Sequence, residues 1–459
     1  MGTGPGRRRF PERPFPGDPV PGPAGLTDPG ITTRALLLLG AVAIVGGVLT
    51  GLVGTAFQIT LAAADDARVA MVDWARHWPW VGWVVPVLAC GAGVALARLV
   101  VRFAPIASGS GVQRVEAVMR GEVGPAPLSV VPAKFVGGVL AIGSGLALGR
   151  EGPSVQMGAV IGDELARRTR MDHPDLRSMQ AAMAGAGLAV AFNAPLGGAV
   201  FVFEEVSRSF RLRLAVATLV GTACAIATYR AILGDFVLFD VPELPEAPLA
   251  TLPLFALLGV LLGVAGVAYN RFVVTSIDVF ARSRIVPVEL RAGIVGAAVG
   301  LLAWLSPELV GGGDALNQRI LDGRIPLLVL GGILAVRWVL GPVSYALGTV
   351  GGLFAPLLVV GAAGGALLGG LVTAVAPGQQ DATVAFAVVG MAAFFTAVVR
   401  APFTGIVLIA EMTGSTSQVV PLLLACGAAM LTATLLRGEP IYDTLRSRML
   451  ATERTRGGG

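Results

Sequence analysis

The stretch Ser144–Ala159, SGLALGREGPSVQMGA, sets Arg150 and Glu151 inside a run that is otherwise apolar or built of very small residues. What a carboxylate does there depends on the solvent around it, and the composition of the chain names that solvent. Of 459 residues, 54% are hydrophobic and only 14% are charged, and 63 are glycine. A soluble domain of this size does not have that composition. Apolar stretches approaching the roughly 20 residues needed to cross a hydrocarbon core recur along the chain. They include Ala35–Ala63, Val81–Val101, Leu252–Val274, Leu327–Leu340 and Val419–Leu436. The sequence is that of a polytopic membrane protein embedded in a lipid bilayer.

The charges at the ends read as topology. Residues 1–32 are rich in Pro, Gly and Arg (Arg7, Arg8, Arg9, Arg13) and lack an apolar core, so they are expected to form a disordered tail and not a signal peptide. The C-terminal segment carries Arg446, Arg448, Arg454 and Arg456. By the positive-inside rule both termini, including a tail over 451–459, are expected in the cytoplasm, with an even number of crossings. The formal charge of +5 then reflects membrane orientation, and nucleic acid is not an expected partner. Cys90, Cys224 and Cys426 lie in apolar segments without metal-ligand spacing, and His77 and His173 form no cluster. Neither disulfides, a metal site nor a cofactor is expected.

An acidic, proline-rich segment, DFVLFDVPELPEAP (Asp235–Pro248), separates two apolar halves, 33–235 and 250–450, within one transmembrane domain over 33–450. The halves answer one another. FNAPLGGAVFVFEE matches VRAPFTGIVLIAE, so that Pro195, Gly198 and Glu204 pair with Pro402, Gly405 and Glu411, each offset by 207. Gly149–Pro153 (GREGP) matches Gly352–Pro356 (GLFAP) at an offset of 203. Ordered matches at nearly one spacing point to a duplicated, transporter-like architecture.

Glycine and proline interrupt the apolar runs at SGSGVQ (Ser108–Gln113), GREGP and GGLFAP (Gly351–Pro356), each expected to precede a long apolar helix. Backbone left unpaired at membrane depth is tolerated only where protein buries it or it lines a cavity. A helix N-terminus there offers free N–H groups and the positive end of the peptide dipole, which bind an anion without a full positive charge. Amides and hydroxyls without fixed lysines suit a small monovalent anion that must leave as readily as it enters. Glu151, itself an anion beside such termini, can compete for the same place, and protonation would remove it; a local pair with Arg150 is the alternative. Glu204 and Glu205 close an apolar run before the basic SRSFRLR, where a helix-end salt bridge is the plainer expectation for each. Lys134, the only lysine, either snorkels to the interface or lends positive potential at longer range.

Taken together, GSGVQRVE (Gly109–Glu116), GREGPSVQMGA (Gly149–Ala159), AGLAVAFNAPLGGAVFVFEE (Ala186–Glu205), GGLFAP and IYDTL (Ile441–Leu445) resemble the ordered motif set of the CLC chloride channel and transporter family. The resemblance covers roughly Thr32 to Leu450 and implies an all-α fold of two inverted-topology repeats of tilted and broken helices. It also implies a homodimer with one pore per subunit in the plasma membrane, without the nucleotide-binding domains that some members append. It implies that the hydroxyls of Ser110 and Tyr442 and the backbone amides of Leu353 and Phe354 contact a central chloride. Glu151 resembles the external gating glutamate, and Glu205 the internal proton-transfer glutamate of the exchangers. Gln113 stands where the family often has proline, and Val350 where proline commonly precedes the glycine pair, which leaves the geometry at Ser110 open.

With both glutamates present, the expected function is exchange of chloride against protons; a passive chloride channel on the same fold is the alternative. An intramembrane serine hydrolase would need a base beside its serine, and neither histidine lies in an apolar span. A structural or receptor-like protein would not need broken helices around a buried glutamate.

Overall fold

A computed structural model describes residues 32–282, 286–375 and 382–457. The N-terminal tail lies outside the described residues except for Thr32, whose hydroxyl accepts from Ala35 N and caps the first helix. The first half holds α1 (Thr33–Ala75), α2 (Val84–Phe103), α3 (Val112–Met119), α4 (Val130–Gly143), α5 (Glu151–Arg168), α6 (His173–Phe192), α7 (Pro195–Phe201) and α8 (Leu212–Leu233). The second half holds α9 (Leu252–Arg282), α10 (Val288–Leu305), α11 (Asp314–Leu321), α12 (Leu327–Ala346), α13 (Phe354–Val375), α14 (Ala382–Val399), α15 (Pro402–Thr413) and α16 (Val419–Leu435). The last helix, α17 (Ile441–Gly457), continues into the segment expected as a C-terminal tail. No strand occurs among the described residues.

The duplication read from the sequence is written into the backbone. α3 and α11 are both 8 residues long, and each follows a left-handed glycine, Gly111 at φ 93° and Gly313 at φ 105°. α6 and α14 each end on a left-handed non-glycine residue, Asn193 (φ 51°) and Arg400 (φ 74°). An alanine in matching conformation follows each, Ala194 at φ −127° and ψ 83° and Ala401 at φ −116° and ψ 77°. Pro195 and Pro402 then open α7 and α15, where a missing N–H costs nothing. One expectation fails at α3, which is a short helix and not a long apolar run. Its sequence, VQRVEAVMRG, is too polar to continue across a bilayer and stops at Gly121 (φ 72°).

Eight helices among the described residues are long and apolar enough to cross a membrane. Their outward faces leave large apolar side chains uncovered, Leu88, Leu328 and Leu435 among them. That surface is unfavourable against water and neutral against lipid tails. α1, with 43 residues, is about 65 Å long and exceeds a bilayer core of about 30 Å, so its charged last quarter, from Asp65 on, projects beyond it. α6 and α14 are buried almost throughout and form the axis of each half. α5 lies along α6, and α13 along α14. Glycine makes these crossings close: a Cβ on Gly187 of α6 would stand 2.2 Å from the Ser154 carbonyl oxygen of α5. One on Gly158 of α5 would stand 2.1 Å from the Met183 carbonyl oxygen.

Adding those atoms forces apart backbones that nothing else can move. Gly187→Val and Gly158→Val are each expected to lower stability by about 1–3 kcal/mol or more. Gly331→Ala, in open space on α12, should be tolerated. Monodispersity and melting temperature of the detergent-solubilised variants check this, and a native-like Gly187→Val protein contradicts it.

Candidate functional site

The three glycine-rich breaks meet. Gly109 N donates to Thr349 O (2.9 Å) and Gly351 N to Gly109 O (3.2 Å). Gly149 and Gly352 exchange both bonds, each N–H to the other's carbonyl at 2.8 Å. Backbone that would otherwise be orphaned in an apolar interior is thereby paired between the two halves. The loops that precede α3, α5 and α13 are fixed against one another as a result.

Lys134 answers the question that the sequence left open. Its side chain is fully buried in α4, so it does not snorkel, and Nζ donates to Gly109 O (2.7 Å) and Ser110 O (3.0 Å). An ammonium bonded to those carbonyls holds the turn that carries the Ser110 hydroxyl. Gln113 and Val350 leave this stitch intact. Val350 bridges to Gly109 and packs over Gly137 and Gly138, while the Gln113 amide lies by the Tyr345 hydroxyl.

Glu151 sits at the start of α5 and reaches across to α13. Oε1 accepts from Phe354 N at 2.7 Å and from Ala355 N at 3.3 Å, while Oε2 is buried without a partner. Glycine permits this rotamer, because a Cβ on Gly352 would lie 2.4 Å from Oε1 and one on Gly149 2.0 Å from Oε2. The alternative of a local pair with Arg150 is not what the chain adopts. Arg150 turns away to Asp314 Oδ2 (2.7 Å) and the Ala191 carbonyl (2.9 Å). Asp314 opens α11, and the loop before it is held by Arg337 of α12, buried and donating to the carbonyls of Leu309, Gly311 and Gly312.

Three further groups converge below the carboxylate. Ser110 Oγ and Tyr442 Oη are both fully buried, and they face one another without closing a hydrogen bond of normal geometry. Gly152 brings Ser110 to the first turn of α5, since a Cβ there would meet Ser110 Oγ at 2.3 Å. The Leu353 amide, one residue before those that Glu151 occupies, has no protein acceptor among the described residues. The Phe354 ring lies between Phe192 (4.9 Å) and Phe395 (4.1 Å), which closes the site with apolar edges. Two hydroxyls and one carboxylate oxygen, all buried and without a hydrogen-bond partner among the described residues, thus lie close to one another with bonding capacity unused.

Glu204 and Glu205 part company in a π turn, Val202–Val206, that continues α7. A salt bridge was the plainer expectation for each, and for Glu204 the structure gives another role. Its carboxylate accepts from Phe403 N (3.0 Å), Thr404 N (2.6 Å) and Thr404 Oγ1 (2.7 Å) at the start of α15. Its repeat partner Glu411 does the reverse, accepting from Leu196 N (3.0 Å) and Gly197 N (2.7 Å) at the start of α7. The two crossed caps hold α7 and α15 side by side and antiparallel. Glu205 points inward instead, 2% exposed, with Oε2 at 3.4 Å from the Arg208 guanidinium. Arg208 adopts φ 50°, a left-handed conformation that costs a non-glycine residue about 1–2 kcal/mol, and folds back over the π turn. The same guanidinium reaches Asp443 Oδ2 at 3.1 Å, next to Tyr442 in α17, and Asp443 also receives Arg120 (3.2 Å) and Arg446 (3.1 Å). Partial burial works against ionisation of Asp443, but the Arg208, Arg446 and Arg120 guanidiniums outweigh it and hold the carboxyl below its usual range.

Sequence reasoning missed Asp314, Arg208, Asp443 and Glu116. Three are partners brought in from distant segments, and nothing local announces them. Glu116 did carry a signal: it follows Val112 and Val115 at helical spacing, which puts a carboxylate on the apolar face of α3.

The profile of the voltage-gated chloride channel family matches residues 92–434. The chain is 37% identical over 442 residues to the H(+)/Cl(-) exchange transporter ClcA of Vibrio parahaemolyticus, covering 93% of this chain and 92% of that protein. It is 36% identical to the ClcA of Klebsiella pneumoniae, over 92% of this chain and 90% of that one. Among solved structures, a slow cyanobacterial Cl-/H+ antiporter superposes with a TM-score of 0.87 at 32% identity, over 93% of this chain and 100% of the other. A eukaryotic CLC transporter, 24% identical, shares the fold at a TM-score of 0.78 over 90% of this chain and 74% of the other. On motif order, crossed repeats and these likenesses together, the chain belongs to the voltage-gated chloride channel (CLC) family.

Proposed function

We propose that the chain is a secondary active antiporter that moves chloride across the plasma membrane in exchange for protons. It works as a homodimer with one pore per subunit and both termini in the cytoplasm. The observation that carries the reading is the Glu151 carboxylate, seated on the amides of Phe354 and Ala355 above two buried, unpartnered hydroxyls. A helix N-terminus that accepts a carboxylate accepts chloride equally well, since both are monovalent anions solvated by the same N–H groups. The two therefore compete, and a proton on Glu151 decides the contest. Relatives at 36–37% identity carry the name of H(+)/Cl(-) exchangers, which supports this reading over a passive channel.

Chloride leaving the inner side passes Ser110 and Tyr442, whose hydroxyls donate to it, and the Leu353 and Phe354 amides complete its shell. Glu151 is the external gate: ionised, it occupies the anion's place; protonated, it is released and later gives its proton to the outside. Glu205 is the internal proton carrier, buried behind Arg208 and apart from the chloride shell. Glu204, committed to the cap of α15, fixes the turn on which Glu205 sits.

Purified protein in liposomes with a chloride gradient tests the whole: uphill proton movement is expected, and chloride flux without it would make the protein a channel. Gln at position 151 is neutral like the protonated carboxyl and cannot titrate. Glu151→Gln should therefore pass chloride with a flat pH dependence and pump no protons, where the wild type speeds up as acid protonates the gate; a wild-type pH profile in the variant contradicts the gating role. Glu205→Gln should abolish proton coupling while chloride still moves, and Glu204→Gln, which keeps a capping oxygen, should do much less. Survival of pumping in Glu205→Gln removes that residue from the pathway. Tyr442→Ala and Ser110→Ala should each weaken chloride binding by roughly 1.5–3 kcal/mol, as for a hydrogen bond to a charged group. Calorimetry with unchanged chloride affinity in both would place the anion elsewhere.

A further inference from the structure

Glu116 lies on the buried face of the short helix α3, 0% exposed, and both of its carboxylate oxygens lack a partner among the described residues. An ionised carboxylate cannot be left so at a modest energy, because neither solvent nor a donor meets it. The groups that face it from the elements packed on α3 are Glu205 of the π turn, Arg208 of the loop after it and Asp443 of α17, with Arg120 on α3 itself. Of the two cations, Arg208 is shared between Glu205 and Asp443, and Arg120 is turned to Asp443. No guanidinium closes a bond to Glu116. Its nearest polar neighbour is another carboxyl, because Glu205 is within hydrogen-bonding reach of it, and Glu205 Oε1 is likewise without a donor. Two ionised carboxylates are acceptors only and repel, so neither can satisfy the other. A single proton between them removes both faults: one group becomes a donor, the other accepts, and the repulsion is gone.

We propose that Glu116 and Glu205 act as one proton-holding pair, and that the proton exchanged for chloride is the single proton this pair shares. The inference rests on the exchanger reading above, in which Glu205 is the inner carrier. At rest the pair holds one proton and one negative charge, which faces Arg208. When the shared O–H breaks and the proton passes on toward Glu151, the pair is left transiently doubly ionised. The repulsion between its carboxylates then draws a proton from cytoplasmic water, which forms the O–H bond again and restores the shared state. Glu116 thus keeps Glu205 able to take up a proton beside a guanidinium that alone would hold it ionised.

The test uses full-length protein in liposomes and follows proton and chloride movement against cytoplasmic-side pH. Glu116→Gln replaces the shared proton with a permanent amide donor and removes the repulsion. Glu205 should then hold its proton only at lower pH, and the proton-flux profile should shift acidic by a unit or more, about a tenfold loss at a pH above the new midpoint. Chloride transport should persist, and Glu116→Asp should restore part of the profile. A second measurement does not depend on transport. The infrared carbonyl absorption of a protonated carboxyl at neutral pH should be present in wild type and diminished in both Glu116→Gln and Glu205→Gln. An unchanged proton-flux profile in Glu116→Gln, or an unchanged infrared band in either variant, overturns the pair. Wild-type liposomes that move no protons would instead overturn the exchanger reading, and the infrared band then decides the pair by itself.

Discussion

The structure turns on a single requirement, that the amide groups opening α13 find an acceptor in an apolar interior. Glu151 meets it from the other half of the chain, and many nearby features follow from that contact. Gly149 and Gly352 leave room for the carboxylate, and their paired backbones set the distance between α5 and α13. Lys134 and the Gly109–Val350 bridge hold the third loop beside them. Arg150, the nearest cation in sequence, is drawn off by Asp314, so the carboxylate is hydrogen-bonded by backbone amides and by no guanidinium among the described residues. An ion pair there would be harder to break, and a gate must be broken in every cycle.

The same requirement recurs where the halves abut. α7 and α15 both begin with Ala-Pro and present unpaired amides, and each is capped by the glutamate that ends the other element. A cap of this kind stabilises a helix by about 1 kcal/mol in water. In surroundings where water cannot replace it, losing it costs more. Duplication of one half explains how two such caps arose together, since an antiparallel pair of identical elements brings each C-terminal glutamate to the other's N-terminus. One glutamate of the FEE sequence is thereby committed to structure, which leaves its neighbour on the opposite side of the turn for chemistry.

In the proposed exchange the anion and proton routes share Glu151 and then diverge. The anion side is lined by hydroxyls and amides, whose strength suits an ion that must leave again. The proton side is lined by carboxyls, with Arg208 and Asp443 joining Glu205 to the helix that carries Tyr442. That connection joins the π turn carrying Glu205 and the helix carrying Tyr442 in one charge network.

By itself the sequence determined the solvent, the duplication and the broken helices, because hydrocarbon tolerates few side-chain types and because Gly and Pro act on the residues next to them. It also placed Glu151, Ser110, Leu353, Phe354, Tyr442 and Glu205 through motifs whose order resembles a family. It did not decide what each charged residue touches. Glu204 and Glu205 are adjacent and chemically identical, yet one caps α15 and the other is buried facing Glu116. That division depends on the π turn and on a helix about 200 residues away. Lys134 does not snorkel, and its partners are carbonyls that are brought to it only once the Gly109–Thr349 contact has formed. Electrostatic partners of this kind are long-range and act through distance and burial, quantities that no local spacing encodes, and so only the tertiary structure could assign them.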